Sequence, residues 1–434
     1  MILKIGMSIF LIMILFRFHN YTYRNNKWLI YTALLFLPLF SCNNNDDSFQ
    51  DEKEIEEIYK YVKQADSQFK FLIHSVDSAS EACGDRDNYI IPMSIRPNGE
   101  LWLVNSYEWT SGFYPGCCWL LYELGGADYW KEIAINNTKK LEKAASYSQH
   151  DLGFMFNNSY GKAFANTNDD YYKQVLLKAA RTLSGRYDPV VGCIQSWGKS
   201  EKWNFPVIID AMMNMELLFE ATKLTGDSIF WKRAVSHANK TMENHFRNDY
   251  SSYHVVSYIQ NTGEVQCKQT SQGYSDESYW SRGQSWGLYG FVICYRYTKD
   301  IAYLNFASHI ADFLIGLNYD ADKIPYWDML SPDIPNTPKD ASSASIMASA
   351  LIELSKYVEV KREIYLDYAK DIVKNLAEKY TCEIGSNYGF LLYSTVGNYP
   401  SSYQIAVPSI YADYYYLESL KRLKEIYEDY RYLW

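Results

Sequence analysis

The sequence predicts an all-α chain closed into an (α/α)6 toroid of six helical hairpins with one small β-hairpin, and three observations carry that expectation. Helical periodicity of apolar residues dominates the 434-residue chain after position 51. One design also recurs at roughly 60-residue intervals: an apolar helix ending in Leu or Tyr, a short Thr/Ser/Gly turn, and a second helix rich in Tyr, Phe, Ala and Lys, the kind of period that marks a helical array. Finally, the stretches 247–280 and 320–340 are too long for the turns of a regular solenoid and fall where a closed ring would need a rim around a site. Composition agrees, because 48% hydrophobic and 21% charged residues can bury large cores, which excludes disorder and fibrous repeats. With 42 Lys+Arg against 51 Asp+Glu, a net charge of −9 and no basic run, nucleic acid is excluded as a partner. An anionic ligand would have to be met by a few cations inside a site.

Taken in order, residues 1–41 read as a targeting segment. Arg24 and Lys27 precede the apolar run from Trp28 to Phe40, whose length suits a signal h-region better than a span of about 20 residues. The ending Leu39-Phe40-Ser41-Cys42 is similar to a bacterial lipoprotein signal. Cys42 is therefore the expected lipidation site, residues 42–55 a solvated tether, and 56–434 a single catalytic domain. The chain would be held in the bacterial cell envelope, touching membrane only through that lipid; a plain membrane anchor is the alternative.

The repeated helix-turn-helix units are expected around 120–129, 177–185, 217–227, 294–300, 351–356 and 416–421. Only 251–270 looks like strand, since Tyr253-His254-Val255-Val256-Ser257-Tyr258 alternates and Asn261-Thr262-Gly263 signals a turn. Beyond Cys42 the cysteines are odd in number and irregularly spaced, with no CxxC, HExxH or zinc-like pattern, so no metal or cofactor is expected and the thiols read as small buried hydrophobes.

Three stretches could carry chemistry. A helix is expected to begin at Asn204-Phe205-Pro206-Val207, with Ile208, Met212, Met215 and Phe219 as its core stripe and Asp210 and Asn214 on another face. A carboxyl beside Val207-Ile208-Ile209 should have its pKa raised and could act as a general acid; the bland alternative is a first-turn Asp favoured by the helix dipole. His150-Asp151, ahead of an apolar run, either caps a helix or takes part in chemistry. In the polar, aromatic stretch 272–287, Arg282 lies between Trp280 and Trp286 beside Gly283 and Gly287, which suits a guanidinium fork for a carboxylate next to an aromatic platform. Trp109 offers a second platform, and core packing is the competing reading for each Trp.

Together these stretches resemble glycoside hydrolase family 88, the unsaturated glucuronyl hydrolases. The resemblance spans roughly residues 60–430 and rests on Trp109 to Gly116, His150 to Phe154, Phe205 to Asp210 with Met213-Asn214, Tyr253 to Val256, Gln272 to Ser278, Trp280 to Gly287, Pro325 to Asp328, Asp340 to Ala344 and Asp413 to Glu418. It implies an (α/α)6 barrel, Asp210 as general acid/base, Asp151 as its partner carboxylate, and Trp109, His150, His254, Gln272, Arg282 and Trp286 as substrate contacts. The implied substrate is an oligosaccharide made by a lyase, of glycosaminoglycan type, whose non-reducing uronate carries a C4=C5 enol ether. Hydration of that double bond would release the next sugar without a metal or a nucleophilic residue.

Two departures stand out. Ser271 occupies the position where family members carry His before Gln-Gly-Tyr, and the loop 397–403 lacks the Lys of relatives that take sulfated chains, which leans toward unsulfated or weakly sulfated substrates. Glycoside hydrolase family 105, acting on unsaturated galacturonides, is the nearest enzyme alternative, but its motif reads Arg-Gly-Asn where this chain has Arg282-Gly283-Gln284. A silent glycan-binding lipoprotein is the alternative from another class.

Overall fold

The computed structural model describes residues 44–83, 90–317 and 319–431. Cys42 and the segment ahead of it lie outside the described residues. Helix α1 (Asn44–Cys83) enters the structure, and from Ile58 onward the chain belongs to one compact unit. Strands β1 (Ile91–Ile95) and β2 (Leu101–Val104) precede α2 (Phe113–Gly125) and α3 (Asp128–Lys139). Next come α4 (Leu152–Phe156), a π turn at Asn157–Gly161, α5 (Lys162–Thr167) and α6 (Asp170–Ser184). Short strands β3 (Tyr187–Asp188), β4 (Cys193–Ile194) and β5 (Phe205–Ile208) lead into α7 (Ala211–Thr225) and α8 (Ser228–Asn244). After β6 (Val255–Tyr258) and β7 (Val265–Gln269) follow α9 (Ser281–Thr298), α10 (Ile301–Gly316), α11 (Ala341–Ser355) and α12 (Arg362–Lys379). Strands β8 (Thr395–Asn398) and β9 (Tyr403–Val407) precede the final helix, α13 (Ile410–Arg431).

Among the described residues, α2, α4, α7, α9, α11 and α13 form an inner ring: from α4 onward each packs on the next, α13 returns to α2, and α2 meets α4 through Phe113 against Phe154 at 5.6 Å. Helices α3, α6, α8, α10 and α12 lie outside them, and α1 covers the remaining seam. There Gln68 donates to the carbonyls of Ser386 and Phe390, and Phe69 meets Tyr114 and Trp130. Inner helices lack a polar face: every residue of α11 is buried, as is α9 from Ser281 to Cys294, whereas α6 and α8 bury one stripe. The chain is thus the (α/α)6 barrel expected.

The turns follow from local chemistry. Helix α7 stops on Gly226 in the left-handed region (φ 75°), and the next residue, Asp227, accepts a hydrogen bond from the Ile229 amide at 2.9 Å to start α8. Two expected turns fall elsewhere. Residues 177–185 end α6 but continue into β3, and 416–421 lie inside α13, where the Ser419 hydroxyl donates to the Tyr415 carbonyl and no glycine interrupts the turn. Helix α13 meets α1 instead, where the Tyr59 hydroxyl donates to Glu428 at 3.2 Å and Lys424 lies 5.7 Å over the Tyr59 ring.

Strand content also exceeds the single hairpin. Residues 255–269 do form one, with Gly263 (φ 74°) in its turn, but β5 adds a third strand and three further two-stranded sheets occur among the described residues. The expected helix start at Asn204 is therefore corrected: Phe205–Ile208 pairs antiparallel with Val255–Tyr258, and the helix begins at Ala211. Phe205 and Val207 belong with Val191, Cys193, Val256 and Tyr258 to one fully buried cluster, and Pro206, which lacks an N–H, is tolerated because β5 is an edge strand. The change matters because it puts Asp210 at the mouth of α7, not inside it.

Candidate active site

The N-terminal ends of the inner helices converge on one recess. Asp151 immediately precedes α4, Asp210 precedes α7, Asp340 caps α11, and Arg282 and Tyr411 lie in the first turns of α9 and α13. Their positive dipole ends favour an anion in a chain whose net charge is −9. The recess has a volume of about 210 Å³, room for one sugar ring, and is lined by Trp109, His150, Asp151, Asp210, Gln272 and Arg282, all anticipated from sequence. A larger cavity of about 380 Å³ sits at the opposite ends of these helices. Its charges are mutually paired, Arg296 with Glu353 at 2.6 Å and Lys162 with Glu123 at 3.1 Å, so it presents no comparable chemistry.

Asp151 is held from two sides. Its Oδ1 accepts from Asn214 Nδ2 at 3.2 Å, and its Oδ2 lies 3.1 Å from His150 Nε2. Asn214 in turn accepts from the Phe154 amide at 2.9 Å, tying the start of α4 to α7. Gly153 permits this approach, since a Cβ there would stand 2.4 Å from Asn214 Cα. Burial pushes the Asp151 carboxyl up to about 7 against the Asn214 bond and the Arg186 charge, and it pushes His150 down to about 3, so the imidazole is neutral.

Asp210 is likewise pushed up to about 7, first by burial and then by the Asp151 charge, while Arg282 pulls in the opposite direction. Its Oδ2 is buried without a hydrogen-bond partner among the described residues. His254 Nε2, 3.8 Å from it, is unpartnered too. The amides of Ser271 and Gln272 both donate to His254 Nδ1, at 3.1 and 3.2 Å, so the neutral ring carries its proton on Nε2, facing Asp210. Ser271 therefore contributes its backbone N–H, a contact that does not depend on the missing His side chain. Gln284 fixes the segment leading to His254, accepting from the Ser252 amide and donating to its hydroxyl.

Arg282 corrects a sequence expectation. The guanidinium does lie over the Trp280 ring at 4.8 Å, but its Nη groups are already used: Nη1 donates to Asp340 and the Val396 carbonyl, Nη2 to Gln272 Oε1 at 2.8 Å and Gly397 O at 2.6 Å. It frames the recess and supplies field, leaving the Gln272 amide N–H2 to donate inward. Trp286 is corrected as well. It is fully buried against Phe154 and Tyr415 and does not line the recess. Its position on α9 one turn below Arg282 points it into the ring's core.

Trp197, Tyr403, Gln404 and Tyr411 also line the recess and were not anticipated. Trp197 sits edge-on to both His150 and His254, and Tyr411 lies 5.2 Å from Trp109. The one available signal was composition, an aromatic content of 17%, which does not single out positions. Among the described residues no three His, Cys, Asp or Glu side chains are grouped as metal ligands.

A ring of helix pairs whose N-termini surround two buried carboxyls of raised pKa, aromatic walls and a recess with room for one sugar ring defines a class, the (α/α)6 enzymes that act on carbohydrates. An unsaturated glucuronyl hydrolase of Formosa agariphila is 39% identical over 404 residues, covering 92% of this chain and 98% of the relative. A crystal structure of an unsaturated glucuronyl hydrolase specific for heparin superposes with a TM-score of 0.80 at 40% identity, covering 86% and 98% of the two chains. A Streptococcus agalactiae unsaturated glucuronyl hydrolase variant, complexed with dGlcA-GalNAc6S, matches with a TM-score of 0.70 at 28% identity, covering 86% and 92%. No family model matches the chain. The chain belongs to the unsaturated glucuronyl hydrolases, glycoside hydrolase family 88.

Proposed function

We propose that the protein releases 4,5-unsaturated glucuronate from the non-reducing end of lyase-generated oligosaccharides of glycosaminoglycan type. The observation that carries the mechanism is the pair of carboxyls facing one recess, both held near neutrality by burial, with Asp210 Oδ2 unpartnered. The uronate carboxylate meets the Gln272 amide and the field of Arg282 and the helix termini. Asp210 delivers its proton to C4, and positive charge builds on C5, where the ring oxygen shares it. Ionised Asp151 stabilises that charge and, by repulsion, keeps Asp210 protonated beforehand. Water then adds to C5 and returns a proton to Asp210; the hemiketal opens and the neighbouring sugar leaves. The enol ether absorbs in the ultraviolet, so turnover is read as loss of absorbance.

The active form carries one proton on the pair. Activity should therefore follow a bell centred near pH 7, its acid limb from protonation of Asp151 and its alkaline limb from ionisation of Asp210. Because the Asp151 charge raises Asp210, Asp151→Asn should lose the acid limb and move the alkaline limb to lower pH. An alkaline limb that stays in place would break the assignment.

For cellular location we propose that residues 1–41 direct export and that Cys42 carries the lipid, supported by the Leu39-Phe40-Ser41-Cys42 ending. Metabolic labelling with a radioactive fatty acid should mark the wild-type chain and spare Cys42→Ala. Equal labelling of both chains would rule out Cys42.

A further inference from the structure

The recess, at about 210 Å³, has room for one sugar ring, so the rest of an oligosaccharide would run over its rim, where one path is lined by aromatic rings and ends in a cation. Tyr403 of β9 lines the recess and is 38% exposed. Its ring meets Trp102 of β2 edge-on at 5.3 Å, and the exposed Arg96 guanidinium, in the β1–β2 turn, sits 4.8 Å over the Trp102 ring. Arg96 forms no ion pair with an acidic side chain among the described residues, unlike Arg282, Arg296 and Arg422, whose charges are all neutralised. Among the described residues lining the recess the single cation, Arg282, has its Nη donors occupied by the protein. An anionic group beyond the first sugar is therefore unmet inside and can be met outside.

We propose that Trp102 and Arg96 form an outer subsite for an anionic sugar of the leaving chain, Trp102 supplying the apolar face and Arg96 the fork for a carboxylate or sulfate. This rests on the hydrolase reading above and extends it to substrate length and charge. The β1–β2 hairpin is a firm platform for such a subsite. Its strands pair from Ile91–Val104 to Ile95–Leu101, and Ser94, buried near the turn opposite Trp102, donates to the Pro408 carbonyl at 2.6 Å, so the hairpin is anchored to the segment that carries Tyr403. Arg is suited to bidentate oxyanion contact and to lying flat on an indole, which Lys is not. A second cation near the recess, Lys202 over Trp203 at 4.5 Å, provides the internal comparison.

The experiment compares unsaturated disaccharides with unsaturated tetrasaccharides, each sulfated and desulfated, on wild type, Arg96→Ala, Arg96→Lys, Trp102→Ala and Lys202→Ala. Expected for Arg96→Ala is a kcat/KM on tetrasaccharides reduced about tenfold through KM, the mark of a lost binding contact, with disaccharide turnover within about twofold of wild type. Arg96→Lys should recover part of the loss, and Trp102→Ala should share the length dependence. A loss on both tetrasaccharides assigns the carboxylate of the second uronate; a loss on the sulfated one alone assigns the sulfate. Equal effects on both lengths, no effect on tetrasaccharides, or a length-dependent loss in Lys202→Ala in place of Arg96→Ala would overturn the subsite while leaving the hydrolase reading intact. A wild-type enzyme that consumes none of the four substrates would overturn both.

Discussion

Asp210→Asn should bleach an unsaturated disaccharide about 10²–10⁴-fold more slowly than wild type, the span usual for losing a positioned general acid. The substitution is isosteric and leaves an amide that cannot give its proton to C4. The fold should be unaffected, because Asp210 Oδ2 has no hydrogen bond to lose and its side-chain burial raises the cost of the charge. Thermal unfolding should occur at the wild-type temperature or slightly above, and substrate should still bind. Bleaching at the wild-type rate would remove Asp210 from the reaction; a slow variant that has also unfolded would be uninformative, which the melting curve decides.

Arg282→Met should cost about 3–5 kcal/mol in stability, measured by denaturant unfolding, because it strands a buried charge. Asp340 is fully buried and receives the Arg282 guanidinium at 3.1 Å, and the Val396 and Gly397 carbonyls lose their donor in the same stroke. The effect reaches chemistry too. Arg282 holds the Asp210 pKa down against burial, so its loss should move the alkaline limb of the pH profile upward in any variant that folds. Adding Asp340→Leu should restore much of the stability by removing the orphaned carboxylate, without returning the limb to its wild-type position. A single variant as stable as wild type would mean that the pair contributes nothing, and an unmoved limb in the double variant would mean that Arg282 does not act on Asp210.

Much of the site was legible, but by different routes. Asp210, Asp151, His254 and Gln272 came from motifs resembling a known family, and all but His254 line the recess while His254 stands behind Asp210. The raised pKa of Asp210 could be argued from Val207-Ile208-Ile209 alone, since burial is what an apolar neighbourhood imposes. The helix expected around those residues does not form there, however, because the same apolar run serves β5, and a strand is chosen only when a partner such as Val255–Tyr258 is available. Strands β8 and β9 leave no sequence signal for a related reason. They are 4 and 5 residues long, with Gln404 and Ala406 at positive φ, and show no alternation to read.

Trp286 and Arg282 mark where spacing misleads. Both lie in the 272–287 stretch that looks densest in chemistry, yet one is core and the other spends its donors on Asp340, on Gln272 and on the backbone of β8, more than a hundred residues away. The recess instead acquired Trp197, Tyr403 and Tyr411, residues that resemble every other aromatic in an aromatic-rich chain.

The amino-acid order by itself determined the layered helical ring, through apolar periodicity and Gly-Asp turn chemistry that act over a few residues, and it determined which carboxyls were available. Tertiary structure alone decided which charges are free. Whether a guanidinium can hold a substrate, an indole can touch a sugar or a carboxyl keeps its proton depends on partners and on exclusion of water, and both are set by chain segments that meet only when the ring closes.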